Sequence, residues 1–148
     1  MREFIKNLSN LKVDKIIAGG SNGSIVLMDI SNESTKYVIY IYCSWRLSLE
    51  NEVITTWNDE SISSDSIFVV QMKKLEGDTI ESVHMHILGD LELTFESGKR
   101  LNIFSDISSN SVESDNVENW SLCNVITNKC YSLNNYFKIV EEIYDSNQ

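Results

Sequence analysis

Residues Gly89–Leu122 read GDLELTFESGKRLNIFSDISSNSVESDNVENWSL and contain the clearest strand pattern in the chain. In Asp90–Phe95 apolar residues alternate with polar ones, which is typical of an antiparallel strand with one face in water. Ser97-Gly98 is the kind of two-residue connection that joins such a strand to a second one, here Arg100–Ser105. This stretch therefore predicts a β-hairpin, an acidic loop and a further strand beginning near Trp120.

A second hairpin is predicted earlier in the chain. Ser24–Ile30 and Tyr37–Ser44 are rich in Ile, Val and Tyr and enclose a polar turn. Trp45-Arg46-Leu47 is expected to continue the second of these strands, so that both hairpins precede a Trp-x-Leu sequence. Residues 24–47 and 90–122 are interpreted either as a duplicated hairpin unit or as two ordinary hairpins of one antiparallel sheet.

Helices are predicted near both ends of the chain. Arg2–Leu11 and Leu133–Tyr144 each place apolar residues at the spacing of one helical face. Ile67–Leu75 fits a strand or a helix, and its β-branched residues favour a strand. The sequence therefore predicts one α+β domain over residues 1–148, predominantly an antiparallel β-sheet built from hairpins, with short N-terminal and C-terminal helices.

The composition describes an ordinary globular chain of 148 residues with 42% hydrophobic residues. No apolar run approaches the ~18 residues of a membrane span, and the N-terminus lacks the apolar core of a secretory signal. Cys43, Cys123 and Cys130 show no Cys-x-x-Cys spacing, so they are interpreted as buried free thiols. A cytoplasmic protein is expected.

The net charge of -10 is the strongest indication of function in the composition. Such a charge repels nucleic-acid phosphates and anionic membranes and attracts basic partners. The acids cluster in Glu50–Asp65, with five carboxylates, and in residues 106–118, with four, and neither segment contains Lys or Arg. Binding of nucleic acid or of a membrane is therefore not expected.

Residues for catalysis or metal binding are scarce. The only histidines, His84 and His86, share one face of the predicted strand Thr79–Leu88. The candidates for a third metal ligand, Asp90 and Glu92, lie past a turn, and the pattern does not place them near the histidines. Cys43 and Cys123 lie in apolar strands without an assignable base. No catalytic residue, metal site or cofactor is predicted, and the chain is not expected to be an enzyme.

The pattern Asp-Leu-x-Leu-x-Phe-x-x-Gly-x-x-Leu-x-Ile-Phe, followed by a spacer and Glu-x-Trp-x-Leu, runs from Asp90 to Leu122. It resembles a unit found in small uncharacterised bacterial proteins, several of which are similar to immunity proteins of polymorphic toxin systems. The matching residues are packing positions. The resemblance implies a small, acidic, cytoplasmic inhibitor that binds and neutralises a cognate toxin domain.

Six carboxylates of the acidic segments are predicted to contact this partner. They are Asp59, Glu60, Asp65, Glu113, Asp115 and Glu118. The expected partner is a basic toxin domain, because a domain that cuts nucleic acid must bind phosphate. Two alternatives stay open: a ligand-binding or scaffold module that uses a sheet face and the tryptophans, and an enzyme of unrecognised type around His84 and His86.

Overall fold

The computed structural model describes residues 3–110 and 117–144, and in these ranges the chain is mostly antiparallel β. The strands are β1 (Lys12–Ala18), β2 (Val26–Ser31), β3 (Lys36–Ile41), β4 (Ser44–Leu49), β5 (Glu52–Thr56), β6 (Ile80–Met85), β7 (Leu91–Phe95), β8 (Lys99–Phe104), β9 (Glu118–Asn124), β10 (Lys129–Asn134) and β11 (Ile139–Ile143). The helices are α1 (Glu3–Lys6), α2 (Ile67–Lys73) and a 3-10 turn (Gly20–Asn22).

Two antiparallel sheets are formed by these strands. The six-stranded sheet has the order β1-β2-β3-β9-β10-β11, and the five-stranded sheet has the order β6-β7-β8-β4-β5. The prediction of a mainly antiparallel protein built from hairpins is confirmed. Both predicted hairpins are present, as β2–β3 and as β7–β8.

The two halves of the chain follow the same path. The first half, α1 to β5, gives three strands to the six-stranded sheet and two to the five-stranded sheet, and the second half, α2 to β10, does the reverse. The equivalence extends to the pairing of Lys12 with Thr79, where Val13 N donates to Asp78 O and Ile80 N donates to Leu11 O, both at 2.8 Å. A duplicated unit itself stays a prediction.

The core lies between the sheets. Alternating residues of each strand face inward, where they join the buried residues of both helices in one cluster. The largest buried side chains include Trp45, Trp120, Phe68 and Phe95. Trp45 meets Phe68 of α2 edge to face at 4.7 Å. The outer faces of the sheets are left to polar and partly exposed residues.

The segment Ile67–Leu75 is helical at α2, and the favoured strand interpretation is wrong. Phe68, Val69, Met72 and Leu75 are buried, at spacings that lie on one side of a helix. The helix buries this side against β1 and β5. The predicted N-terminal helix is confirmed only as the four-residue α1.

The predicted C-terminal helix is also wrong. Residues Leu133–Tyr144 form the end of β10, a turn and β11. The Asn134 side chain accepts backbone hydrogen bonds from Tyr136 and Lys138, and Phe137 adopts a φ of 59°. Pairing of β11 with β10 satisfies backbone groups of β10 that a helix here would leave open at the sheet edge, which the local spacing cannot indicate.

The residues after Tyr37–Ser44 do not continue that strand as expected. The chain passes from the six-stranded to the five-stranded sheet at Tyr42-Cys43, where both backbone N–H groups donate to Asn119 O, at 3.0 and 3.1 Å. Trp45 therefore belongs to β4. The crossing depends on β9, which is far away in sequence.

The interpretation of three free thiols is wrong for two of them. Cys123 and Cys130 lie directly opposite each other in β9 and β10, with their Cα atoms 4.1 Å apart, and form a disulfide. Cys43 is free and buried. The pairing could not be read from the sequence, because β10 was not predicted.

Candidate functional site

The six predicted contact residues are divided between separate elements. Asp59, Glu60 and Asp65 lie on the connection between β5 and α2, whereas Glu118 begins β9 on the six-stranded sheet. Glu113 and Asp115 lie outside the described residues. The structure thus brings together three of the predicted carboxylates along one loop and places a fourth at a different site.

Asp59 supports the fold locally. Its Oδ2 accepts a hydrogen bond from Thr55 Oγ1 at 2.8 Å and another from the backbone N of Thr56 at 2.9 Å. Thr55 is buried, and Asp59 is half-buried. These bonds close the turn after β5, so this carboxylate is already engaged within the chain.

Glu60 and Asp65 are exposed on the same connection, close in sequence to large apolar side chains. Trp57 is 44% exposed and Ile62 is 81% exposed. The connection is held to the body of the protein by a 2.7 Å bond from Gly20 N to Ser61 O. Exposed aromatic and aliphatic groups beside free carboxylates are features of a protein-binding surface.

A groove on the outer face of the six-stranded sheet is a second candidate site. It has a volume of about 320 Å³ and includes Tyr40, Tyr42, Glu118, Ser121 and Tyr144 in its lining. We call it the sheet groove. The rings of Tyr40 and Tyr42 are nearly parallel, with an interplanar angle of 7° and centroids 6.3 Å apart. The groove therefore offers aromatic side chains beside a carboxylate.

Carboxylates and tyrosines are closely linked in and beside the sheet groove. Glu118 Oε2 accepts a 2.8 Å hydrogen bond from Ser121 Oγ, and Tyr144 Oη donates a 2.8 Å bond to Glu142 Oε2. Burial and the charge of Glu118 raise the pKa of Tyr42. The bond to Glu142 raises the pKa of Tyr144 to about 12. Both tyrosines are neutral near pH 7, so Glu118 is the charged residue in the lining of the groove.

The disulfide lies in the wall of the same groove, because Cys123 and Cys130 both line it. Their strands are linked beside it by a hydrogen bond between Ser121 Oγ and Ser132 Oγ. These links fix β9 against β10 on the outer face. Sequence reasoning identified Glu118 but missed the tyrosines and the disulfide, since alternation in a strand does not tell which strands are neighbours.

Comparison with family models, curated proteins and solved structures found no match. No helix in the described part of the chain is long and apolar enough to cross a membrane.

The two histidines lie away from the sheet groove, on and just after β6. Their rings meet edge to face at 4.6 Å, and both side chains are exposed. Within residues 3–110 and 117–144, no three His, Cys, Asp or Glu side chains gather to hold a metal ion. Trp45 and Trp120 are core residues, so Trp57 is the tryptophan available to a partner.

Proposed function

We propose that this protein is an immunity-type inhibitor that binds and neutralises a basic toxin domain and catalyses no reaction. The proposal is carried by the connection between β5 and α2, where Glu60 and Asp65 are exposed close in sequence to the exposed Trp57 and Ile62. Apolar anchors give an interface its affinity, and surrounding charge gives it specificity and speed of association. The net charge of -10 supports attraction of a basic partner.

Competition with nucleic acid explains how such binding would inhibit. A basic cleft that binds phosphates would be covered by an acidic surface of comparable charge density. Glu118 in the sheet groove adds a further carboxylate to the surface of the protein. This function requires binding of the partner and no catalytic cluster. It is therefore compatible with carboxylates that lie at two separate sites of the protein.

The test is a capture experiment in lysate of the source cells with a charge-reversed variant. The variant Glu60→Lys/Asp65→Lys changes two exposed carboxylates of the connection. Glu33→Lys/Glu96→Lys is the matched control, because it makes the same change in net charge at exposed positions in two hairpin turns. The immobilised wild-type protein and the control are expected to retain one basic protein that salt releases, and the variant is expected to lose it.

The captured protein must also be inhibited. Co-expression with the wild-type chain is expected to protect cells from the captured domain, and the charge-reversed variant is expected to protect them at least tenfold less. Capture of no basic protein, equal capture by variant and wild type, or capture without protection would each overturn the proposal.

A further inference from the structure

In the five-stranded sheet an arginine side chain packs on an aromatic ring, Arg46 on Phe104. The sheet groove lies at the equivalent position of the six-stranded sheet. On the outer face of the five-stranded sheet, the Arg46 guanidinium carbon lies 5.1 Å from the centroid of the Phe104 ring. This is the geometry of a cation–π contact. Arg46 belongs to β4 and Phe104 to β8, which are neighbours in that sheet.

Strand register identifies the matching positions in the six-stranded sheet. Trp45 pairs with Ile103, and Trp120 pairs with Ile41, so that β4 and β8 correspond to β9 and β3. One residue further along, Arg46 corresponds to Ser121, and Phe104 corresponds to Tyr42. The aromatic ring is therefore present on both sheets, whereas the arginine is replaced by a short serine on the six-stranded sheet.

The sheet groove opens where the arginine is absent. Ser121 and Tyr42 line it together with Tyr40, which takes the position of Asn102 on the other sheet. The half-buried Glu118 lies beside Ser121, to which it is hydrogen-bonded. A cation entering this space would meet aromatic side chains and a carboxylate, the two partners that a planar guanidinium binds best.

We propose that the sheet groove receives an arginine side chain of a basic partner protein, with its guanidinium on Tyr42 as Arg46 lies on Phe104. Glu118 supplies the opposite charge. This inference rests on the proposed function, since it names the side chain by which the partner is anchored. Arginine is favoured over lysine because its planar, weakly hydrated head can stack on a ring and bind a carboxylate at once.

A peptide titration tests the groove without the partner. The ¹⁵N-labelled full-length protein is titrated with acetyl-Gly-Arg-Gly-amide and with the same peptide carrying citrulline, a neutral isostere, and the amide resonances are followed by NMR. The arginine peptide is expected to bind with a Kd of roughly 1–10 mM, because few atoms are bound. Its shifts should centre on Tyr40, Tyr42 and Glu118–Cys123, and the citrulline peptide should bind at least fivefold more weakly.

Variants separate charge from stacking. Glu118→Gln keeps an acceptor for Ser121 and is expected to weaken binding at least threefold, as is Tyr42→Leu. Tyr42→Phe keeps the ring and is expected to bind like the wild type, and Glu33→Gln removes a remote charge as the control. The inference would be overturned if the two peptides bound equally well or if the shifts centred elsewhere. It would also be overturned if the Glu118→Gln variant, folded as judged by an unchanged spectrum, bound the arginine peptide as tightly as the wild type.

The titration and the capture experiment fail independently. If the groove ignores the arginine peptide while the wild-type chain still captures and neutralises a basic protein, only the arginine site is wrong. If the groove binds the arginine peptide but no basic protein is captured or neutralised, the groove is an arginine-binding site, and its assignment to an inhibitor interface is overturned.

Discussion

Trp45 and Trp120 make the same hydrogen bond from equivalent strands of the two sheets. The Trp45 Nε1 donates to the Ser24 carbonyl oxygen at 3.1 Å, and the Trp120 Nε1 donates to the Gly89 carbonyl oxygen at 2.9 Å. Each acceptor lies two residues before the hairpin of its own half, on the opposite sheet. Each indole therefore ties the sheets together at the end of a hairpin.

Replacement of either residue by phenylalanine should have a similar cost. Trp45→Phe and Trp120→Phe each remove the indole donor to a carbonyl group and leave a gap in the core, since both side chains are fully buried. The Gly89 carbonyl keeps a second hydrogen bond, from Ser105 Oγ. We expect the free energy of unfolding to fall by about 2–4 kcal/mol in each variant. Urea unfolding followed by circular dichroism measures this.

The control for these substitutions is Trp57→Phe. Trp57 is 44% exposed, so its replacement should change the free energy of unfolding by less than about 0.5 kcal/mol. A loss at only one of the two buried positions would contradict the equivalence of the two tryptophans.

The sequence indicates that each tryptophan follows a hairpin in a Trp-x-Leu sequence, but it does not indicate that each indole bonds to the opposite sheet. Alternation along Asp90–Phe95 and along the earlier hairpin predicts strands because the period of a strand is local. The crossing at Tyr42-Cys43 depends on Asn119, a residue far along the chain, and no local pattern contains it. For this reason the sequence predicted the hairpins, whereas it missed the exchange of strands between sheets.

The candidate site was predictable to a similar extent. The charge pattern identified Glu60, Asp65 and Glu118, because a carboxylate in an acidic segment is usually at the surface. Tyr40 and Tyr42 were both expected in the strand Tyr37–Ser44, which is correct for Tyr40 of β3 and wrong for Tyr42, which lies at the crossing. The sheet groove forms only when β9 pairs with β3 and β10 pairs with β9. Apolar residues of β11 also fitted a helix, so local periodicity selected the wrong element at the end of the chain.

Gly89 is required at the start of the second hairpin. Its φ is +96°, and a Cβ added there would lie 2.3 Å from Leu133 Cδ2. Gly89→Ala should therefore lower the free energy of unfolding by about 2–4 kcal/mol. Gly20→Ala is the control, with a φ of +62° and open space around the Cβ, and should cost only about 1 kcal/mol.

A double variant tests the cause of the Gly89 effect in the same urea assay. Leu133→Ala removes the atoms that the new methyl group would strike. The combined loss in Gly89→Ala/Leu133→Ala should be smaller than the sum of the single losses. Strict additivity would show that the clash is not the cause.

Asp59 should behave differently from the other two carboxylates on its connection. Asp59→Ala removes the acceptor for Thr55 Oγ1 and Thr56 N, so it should cost about 1–3 kcal/mol of unfolding free energy. Glu60→Ala and Asp65→Ala should each stay within about 0.5 kcal/mol, because both residues are exposed. Thermal unfolding of the three variants in parallel measures the difference. If Asp59→Ala were as stable as the wild type, the Asp59 carboxylate would not be needed for the fold and would again be a candidate for contact with the partner.

Reduction of the disulfide should weaken the fold without abolishing it. Cys123 and Cys130 are separated by 7 positions, and a loop this short constrains the unfolded chain by about 2.5 kcal/mol. Dithiothreitol should lower the free energy of urea unfolding by this amount. The Cys123→Ala/Cys130→Ala variant should be equally destabilised and should not respond to dithiothreitol. If both thiols of the wild-type protein were reduced and its free energy of unfolding did not change, the disulfide would not contribute to stability as predicted.

Cys43 should make the protein less stable at alkaline pH. Burial, helped by the charge of Asp106, raises the pKa of this thiol from 9.0 to about 12. Below about pH 8 the thiol is protonated in both states, so its effect on stability does not vary with pH there. Above pH 9 the unfolded chain loses the proton and the folded chain keeps it, so stability falls by about 1.4 kcal/mol per pH unit up to about pH 12.

The measurement compares chains with and without Cys43 in the Cys123→Ala/Cys130→Ala background, where no disulfide can exchange with the thiolate. Between pH 8 and pH 10.5 the chain with Cys43 should lose about 2 kcal/mol of unfolding free energy relative to the Cys43→Ala chain. Tyrosines titrate in both proteins and cancel in the difference. Parallel pH profiles would mean that the thiol ionises in the folded protein as readily as in water, which is incompatible with its burial at the crossing between the sheets.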